Sequence, residues 1–214
     1  MISLIRLQAQ EKREKLWENF LSHLDDLKEN LSGNGKLLYL SQRARHQDVT
    51  LFVHVPDPNV IGDFISKNLS TIEDITSISA INLMKPIFLP LPKDTKDKTR
   101  FSISVKVFPS KLTEVYENLF KQSFHDDLKM VYIAFTFHLF EESIIFSLLA
   151  DDKETMEKHV RIVVNEIPGV LQTRTHQISK TKPLISYDEW KDYAVQNAIV
   201  PSWDEKYMVE SFQI

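Results

Sequence analysis

The chain repeats itself. Shifting the sequence by 95 residues lays Asp57 on Asp152, Ile72 on Ile167, Ile75 on Val170, Leu83 on Ile178 and Lys85 on Lys180, with Leu38 and Leu40 falling on Ile133 and Phe135. Identities are few, but element order and apolar phase agree between the copies, the mark of one supersecondary unit used twice. With 214 residues, 43% of them hydrophobic and 26% charged, there is enough apolar side chain to fill a core in each copy. Lys and Arg number 26 against 30 Asp and Glu, a net charge of -4, which argues against a dedicated binder of nucleic acid or anionic membrane. The absence of cysteine excludes disulfides, thiolate metal sites, iron–sulfur clusters and a cysteine nucleophile. The 4 glycines, at 33, 35, 62 and 169, are too few and too scattered for a phosphate-cradling loop.

Within the first copy, Ile2 to Leu7 reads as a strand. Ala9 to Ser32 then reads as one helix, with Leu16, Trp17, Phe20, Leu24, Leu27 and Leu31 on its buried stripe. Ser32-Gly33-Asn34-Gly35 breaks it. Leu38 and Leu40 open the next strand, and Asp48 to Val55 alternates with Val49, Leu51, Val53 and Val55 on one face. Pro58 starts a helix carrying Val60, Ile61, Phe64, Ile65 and Leu69. An extended stretch from Ile75 to Leu91 ends among Pro86, Pro90 and Pro92. Residues 93–100, a charged run with no apolar member, read as a linker.

In the second copy Phe101 to Val107 is a strand and Leu112 to Phe120 a helix. Met130 to Leu139 and Ser143 to Leu149 are paired strands. Asp151 to Glu166 is a helix with Met156, His159, Val160 and Val163 inside, and Gln172 to Ile178 is a last strand. Each copy is therefore strand–helix–strand–strand–helix–strand, the ferredoxin-like plan. The expected organisation is a first repeat over 1–92, a linker over 93–100, a second repeat over 101–185 and an aromatic extension over 186–214, where Asp188 to Asn197 reads as a short helix. Both sheet faces read as apolar, Phe52, Ile144 and Phe146 standing on the face away from the helices, so each sheet needs a partner. The expected fold is α+β, two tandem ferredoxin-like repeats forming a dimeric α+β barrel-like arrangement within one chain. The N-terminus has no signal-peptide core, and the apolar run Met130 to Phe140 is too short to cross a bilayer, so a cytoplasmic protein without membrane attachment is expected.

The stretch Asp48-Val-Thr-Leu-Phe-Val-His-Val-Pro-Asp, a helix, and then Leu69 to Ile81 resembles the effector-binding half of Lrp/AsnC-type regulators. So does Asn165-Glu-Ile-Pro-Gly-Val-Leu-Gln-Thr-Arg-Thr-His-Gln-Ile, and the likeness covers about residues 36–90 and 100–185. It implies a small-molecule effector, often an amino acid, and a role in transcription regulation. The family's helix-turn-helix is not matched, so no direct contact with nucleic acid is implied. The family's turn between the second and third strands lies near its pocket. Arg45, His46 and Asp48 fall at that turn in the first copy, which keeps the family's aspartate as Asp48 but not its glycine. In the second copy Glu141 and Glu142 fall there, and neither the glycine nor the aspartate is kept. In that family domains pair through their sheets, and a homo-oligomer is expected here as well.

Other candidates come from the residues themselves. Arg174 and His176, with Lys180 and Lys182, alternate along a strand and could hold an anion. Asp151 and Asp152 read as a helix start, Asp151 as its N-cap. The seven histidines show no metal-ligand spacing, so no metal and no resident cofactor are expected. The rival reading is an enzyme of the dimeric α+β barrel type, either haem-dependent, in the manner of chlorite-dismutase-like enzymes, or acting on a small organic substrate. His159, on the apolar face of its helix, would then be the haem ligand. No catalytic residue is singled out by sequence alone.

Overall fold

The structure is a computed structural model, and it describes residues 1–9, 13–89, 97–122, 128–138 and 142–196. The fold is α+β, with eight strands and six α-helices among the described residues. In chain order these are β1 (Ile2–Ala9), α1 (Arg13–Ser22), α2 (Leu24–Leu31), β2 (Lys36–Arg43), β3 (Asp48–His54), α3 (Asn59–Lys67) and β4 (Ile75–Phe88). They continue with β5 (Thr99–Val107), α4 (Leu112–Gln122), β6 (Lys129–His138), β7 (Glu142–Ala150), α5 (Lys153–His159), β8 (Val170–Pro183) and α6 (Tyr187–Gln196). The strands are hydrogen-bonded in the order β1-β3-β2-β8-β5-β7-β6-β4. Two compact units divide the chain, residues 1–83 with 179–192, and residues 84–178 with the remainder. No described helix is long and apolar enough to cross a membrane.

In the first unit β1 lies antiparallel between β3 and β4, and β2 pairs with the other side of β3. The period of two sends Ile5, Leu7, Val49, Leu51 and Val53 to one face, where they meet Leu16, Phe20, Leu27, Ile61 and Phe64 of the helices in one buried core. Ile2, Leu4, Phe52 and His54, all buried, fall on the opposite face. The segment read as one helix is two, separated at His23. There Ser22 Oγ donates to the Asn19 carbonyl, and the His23 ring Nδ1 lies 2.8 Å from that same oxygen, so side chains compete for the carbonyl a continuous helix would use.

In the second unit the order is β8-β5-β7-β6. Phe101, Ile103, Val105, Ile144, Phe146 and Leu148 pack against Val115, Leu119, Met156, Val160 and Val164. Ile144 and Phe146 thus lie on the helix side and not on the free face where sequence placed them. β7 carries apolar residues on both parities, so its pattern alone does not tell one face from the other. Thr99 and Arg100, read as the end of a linker, begin β5. After α5 the chain widens into a π turn, Val160–Val164, and Val163 and His159 are half-buried rather than inside. The N-cap of α5 is Asp152, whose carboxylate accepts from the Thr155 N–H at 2.7 Å, and not Asp151. Those bonds to Thr155 hold the Asp152 carboxyl below its ordinary range. Residues 197–214 lie outside the described residues.

Gly169 turns the chain from the π turn into β8 with φ +105, and a Cβ there would stand 2.5 Å from Lys111 Cβ. Only glycine takes that φ without strain. Gly169→Ala is expected to destabilise the protein by ~1–3 kcal/mol. The change should be read as a lower urea midpoint with unchanged slope.

Candidate functional site

Two polar groups stand on the sheet faces turned away from the helices, one in each unit. In the second unit, β5 alternates strictly. Phe101, Ile103 and Val105 enter the helix-side core, so Arg100, Ser102, Ser104 and Lys106 fall on the other face. The ladder sets their neighbours. Ser102 stands opposite Ser147 of β7 and His176 of β8, Ser104 opposite Arg174, and Ser147 opposite Tyr132 of β6. Directly opposed residues bring their Cβ atoms to about 5 Å. His176, Ser102, Ser147 and Tyr132 therefore make one row across four strands.

Arg100 is tied into this row. Its Nε donates to Ser147 Oγ at 2.9 Å, and Ser147 donates in turn to the Phe101 carbonyl at 2.8 Å. Ser147 is 1% exposed, so the hydroxyl is fixed in both roles and holds the plane of the guanidinium. Ser102, Ser104, Ser147 and Ala134 keep much of this face small, with the buried Ile145 between Ser104 and Ala134 and Leu149 opposite Arg100. The rim is large and polar or aromatic: Arg100, Arg174, His176 and Tyr132, whose ring lies 5.6 Å from that of Phe88. A floor of small hydroxyl side chains beside guanidinium and imidazole groups suits a flat, oxygen-bearing molecule. It could stabilise negative charge on an oxygen and take up a proton.

In the first unit the equivalent face is charged at one end. Arg43 donates to Asp48 Oδ2 from Nε at 2.6 Å and also from its terminal nitrogen, and Arg6 Nε lies 3.9 Å from the same oxygen. Asp48 is 1% exposed. His46 is half-buried beside them. Burial, then the Arg43 charge, lower its pKa. Further along β3, His54 is buried, and burial together with the nearby amino-terminal ammonium pushes its pKa down to about 4. The unfolded chain takes up that proton near 6.5, the folded one only near 4, so stability should fall as pH drops through that window. His54→Asn should flatten this acid limb, as read from urea unfolding at a series of pH values.

Of the residues expected to form a site, Arg45, His46 and Asp48 are found together at the β2–β3 turn. Arg45 is the exposed turn residue with φ 63, and only His46 and Asp48 reach the charged group. Glu141 lies outside the described residues. Glu142 is buried at the start of β7, with Oε2 making no hydrogen bond. Arg174 is exposed and His176 half-buried on β8, beside the row in the second unit. Arg6, Arg100, Ser102, Ser147 and Tyr132 were not singled out by sequence, although serine at alternate positions of an apolar strand was a visible signal for Ser102 and Ser104. No cluster of three or more His, Asp or Glu suited to a metal occurs among the described residues.

No family model matches the chain, and no curated protein matches it. Solved structures do. A protein from Lactobacillus acidophilus NCFM, provisionally described as a monooxygenase, superposes with a TM-score of 0.56 at 10% identity, over 85% of this chain and 95% of its own. An anthrone oxidase-like protein gives 0.52 at 12% identity, over 86% and 94%. A chlorite dismutase variant from Candidatus Nitrospira defluvii gives 0.53 at 12% identity, over 84% and 92%.

The chlorite dismutase likeness raises haem. His159 is half-buried at the end of α5, while the side of that helix facing the sheet is filled by Met156, Val160 and Val164, packed in one core with Ile144 and Phe146. Those side chains occupy the room a macrocycle ligated by His159 would need, so the residues here do not fit a haem at that position.

The matched structures also overturn the Lrp/AsnC resemblance, and with it the expectation of an effector-binding protein of transcription regulation. The Ile167–Thr175 corner that carried the resemblance is what a helix turning into a strand through Gly169 requires, whatever the family. The chain shares the fold of the dimeric α+β barrel proteins.

Proposed function

We propose that the chain is an enzyme that oxidises a small, acidic organic substrate bound on the Ser102–Ser147 face of the second unit. The observation that carries this reading is the Arg100–Ser147–Phe101 hydrogen-bond chain beneath a floor of small hydroxyl residues. The other side of these same strands is a closed apolar core, whereas this face sets three serines and Arg100 among the buried Ile145 and Leu149. The likeness to a provisionally described monooxygenase and an anthrone oxidase-like protein supports the reaction class. We also read each half of the chain as one ferredoxin-like unit, in keeping with the matching order of elements.

The chemistry asked of the residues is modest. His176 takes a proton from an acidic C–H or O–H of the substrate as general base. Arg100 faces the oxygen on which negative charge then develops, its guanidinium plane set beforehand by Ser147 so that no reorientation is needed. Arg174, exposed on β8 beside that row and opposite Ser104, draws an anionic or phenolic group to the rim. Molecular oxygen then oxidises the deprotonated, electron-rich substrate. A C–O bond forms at the deprotonated carbon, the O–O bond breaks, one oxygen stays as a carbonyl and the other leaves as water, so that anthrone and O2 give anthraquinone and water.

The test is oxygen uptake by the purified full chain, with anthrone as the probe. Protein-dependent uptake that ends in the quinone, and that is lost on heat denaturation, is expected. An uptake rate equal to that of buffer, for anthrone and for other acidic hydroxyaromatics alike, would overturn the proposal.

A further inference from the structure

The charged corner of the first unit has no part in that chemistry. Its carboxylate is used unevenly. Both guanidinium groups address one oxygen of Asp48, Oδ2, while Oδ1 is buried and makes no hydrogen bond. A carboxylate oxygen held out of water without a donor is costly. The corner also holds two guanidiniums to one carboxylate, with the Arg43 and Arg6 side chains 12% and 24% exposed. Its two demands are a hydrogen-bond donor for Oδ1 and negative charge near the arginines.

From these two demands we infer that the Arg6–Arg43–Asp48 corner is a binding site for a small oxyanion that carries its own hydroxyl, of which hydrogen carbonate is the smallest common example. The hydroxyl donates to Asp48 Oδ1, and the anionic oxygens accept from the guanidinium side. A carboxylate such as acetate, ionised at neutral pH, brings the charge but no donor, and would set oxygen against oxygen at Asp48. A cation would meet the carboxylate but face both arginines. Burial and the Arg43 charge keep the neighbouring His46 from adding a further positive charge near neutral pH. The second copy has no counterpart, because a serine stands at the position of Asp48. Ser143, which lies 95 residues on, accepts from the Val107 N–H through its hydroxyl. This inference does not depend on the proposed oxidation.

The experiment is thermal unfolding of the full chain at fixed pH and ionic strength with two pairs of shape-matched anions: hydrogen carbonate against nitrate, and phosphate against sulfate. The hydroxyl-bearing member of at least the first pair should bind ten-fold or more tightly than its partner, seen as a rise in melting temperature at concentrations where nitrate does nothing. Arg6→Gln should weaken that response at least ten-fold while leaving the anion-free melting temperature within a few degrees, since Arg6 is the outer of the two arginines. Asp48→Asn, where it folds, offers an N–H to the site and should abolish the preference for the hydroxyl, bringing nitrate level with hydrogen carbonate. Equal responses to both members of each pair would overturn the inference as general charge screening. No response to any anion would overturn it as well, and would leave Oδ1 to be met by water alone.

Discussion

Arg100→Gln should lower kcat/KM for the proposed oxidation by roughly 100-fold or more, the effect of removing one pre-set donor from a developing oxyanion. The side chain is half-buried at the start of β5 and is held by Ser147, so glutamine can keep the length and some of the hydrogen bonding but not the charge. Arg100→Lys is the informative companion. It restores the charge as a point without the planar Nε that Ser147 receives, and should recover only part of the loss. Ser147→Ala leaves the guanidinium in place but unlocks its plane, so its effect should fall on kcat more than on KM. Melting temperatures within a few degrees of the parent would show that the chemistry, and not the fold, was touched. Full activity in Arg100→Gln would remove this residue from the site.

Asp48→Ala is expected to cost the protein about 3–5 kcal/mol, the penalty for leaving a partner charge buried and uncompensated. Against a total stability of roughly 5–15 kcal/mol, that is enough to unfold a marginal domain. Asp48 is 2% exposed at its side chain and Arg43 12%, so solvent screens this pair far less than an exposed one such as Lys67–Asp63. The double variant Asp48→Ala with Arg43→Met removes both charges and should recover much of the loss, because the penalty belongs to the orphaned guanidinium. Urea unfolding of the four proteins of this cycle measures the coupling. A single-variant loss below about 1 kcal/mol would mean the pair behaves like a surface salt bridge.

Much of the architecture could be read from the chain, because hydrophobic period reports directly on which face of an element is covered. The strand from Asp48 and the helices carrying Phe64 and Leu119 follow from that signal. What failed did so for local reasons. The stripe from Leu16 to Leu31 passes through His23 without a break in phase, so nothing in the pattern shows that side chains there take a helix carbonyl. In β7, Ile144, Ile145, Phe146, Leu148 and Leu149 satisfy either parity, so the pattern does not tell which face meets the helices.

The candidate site was the least legible part. Arg100 is the last residue of a charged run and looks like linker until the ladder to Leu149 places it in β5. Its partner Ser147 is an ordinary serine within an apolar strand. Asp48 could be picked out by its place at the turn, but Arg6 lies on a different strand far away in sequence, and only the pairing of β1 with β3 brings them together. The family resemblance went astray for the same reason. A Pro-Gly corner records a turn that must be made, and turns recur across families that share no chemistry.

The most direct test of the central claim is chemical-shift mapping of the full chain with a water-soluble anthraquinone sulfonate as a non-reacting analogue. The account predicts perturbations concentrated at the Arg100 Nε–H, the His176 ring and the Tyr132 and Ser102 amides, lost in Arg100→Gln. Binding that leaves these four residues unmoved and shifts others instead would contradict it.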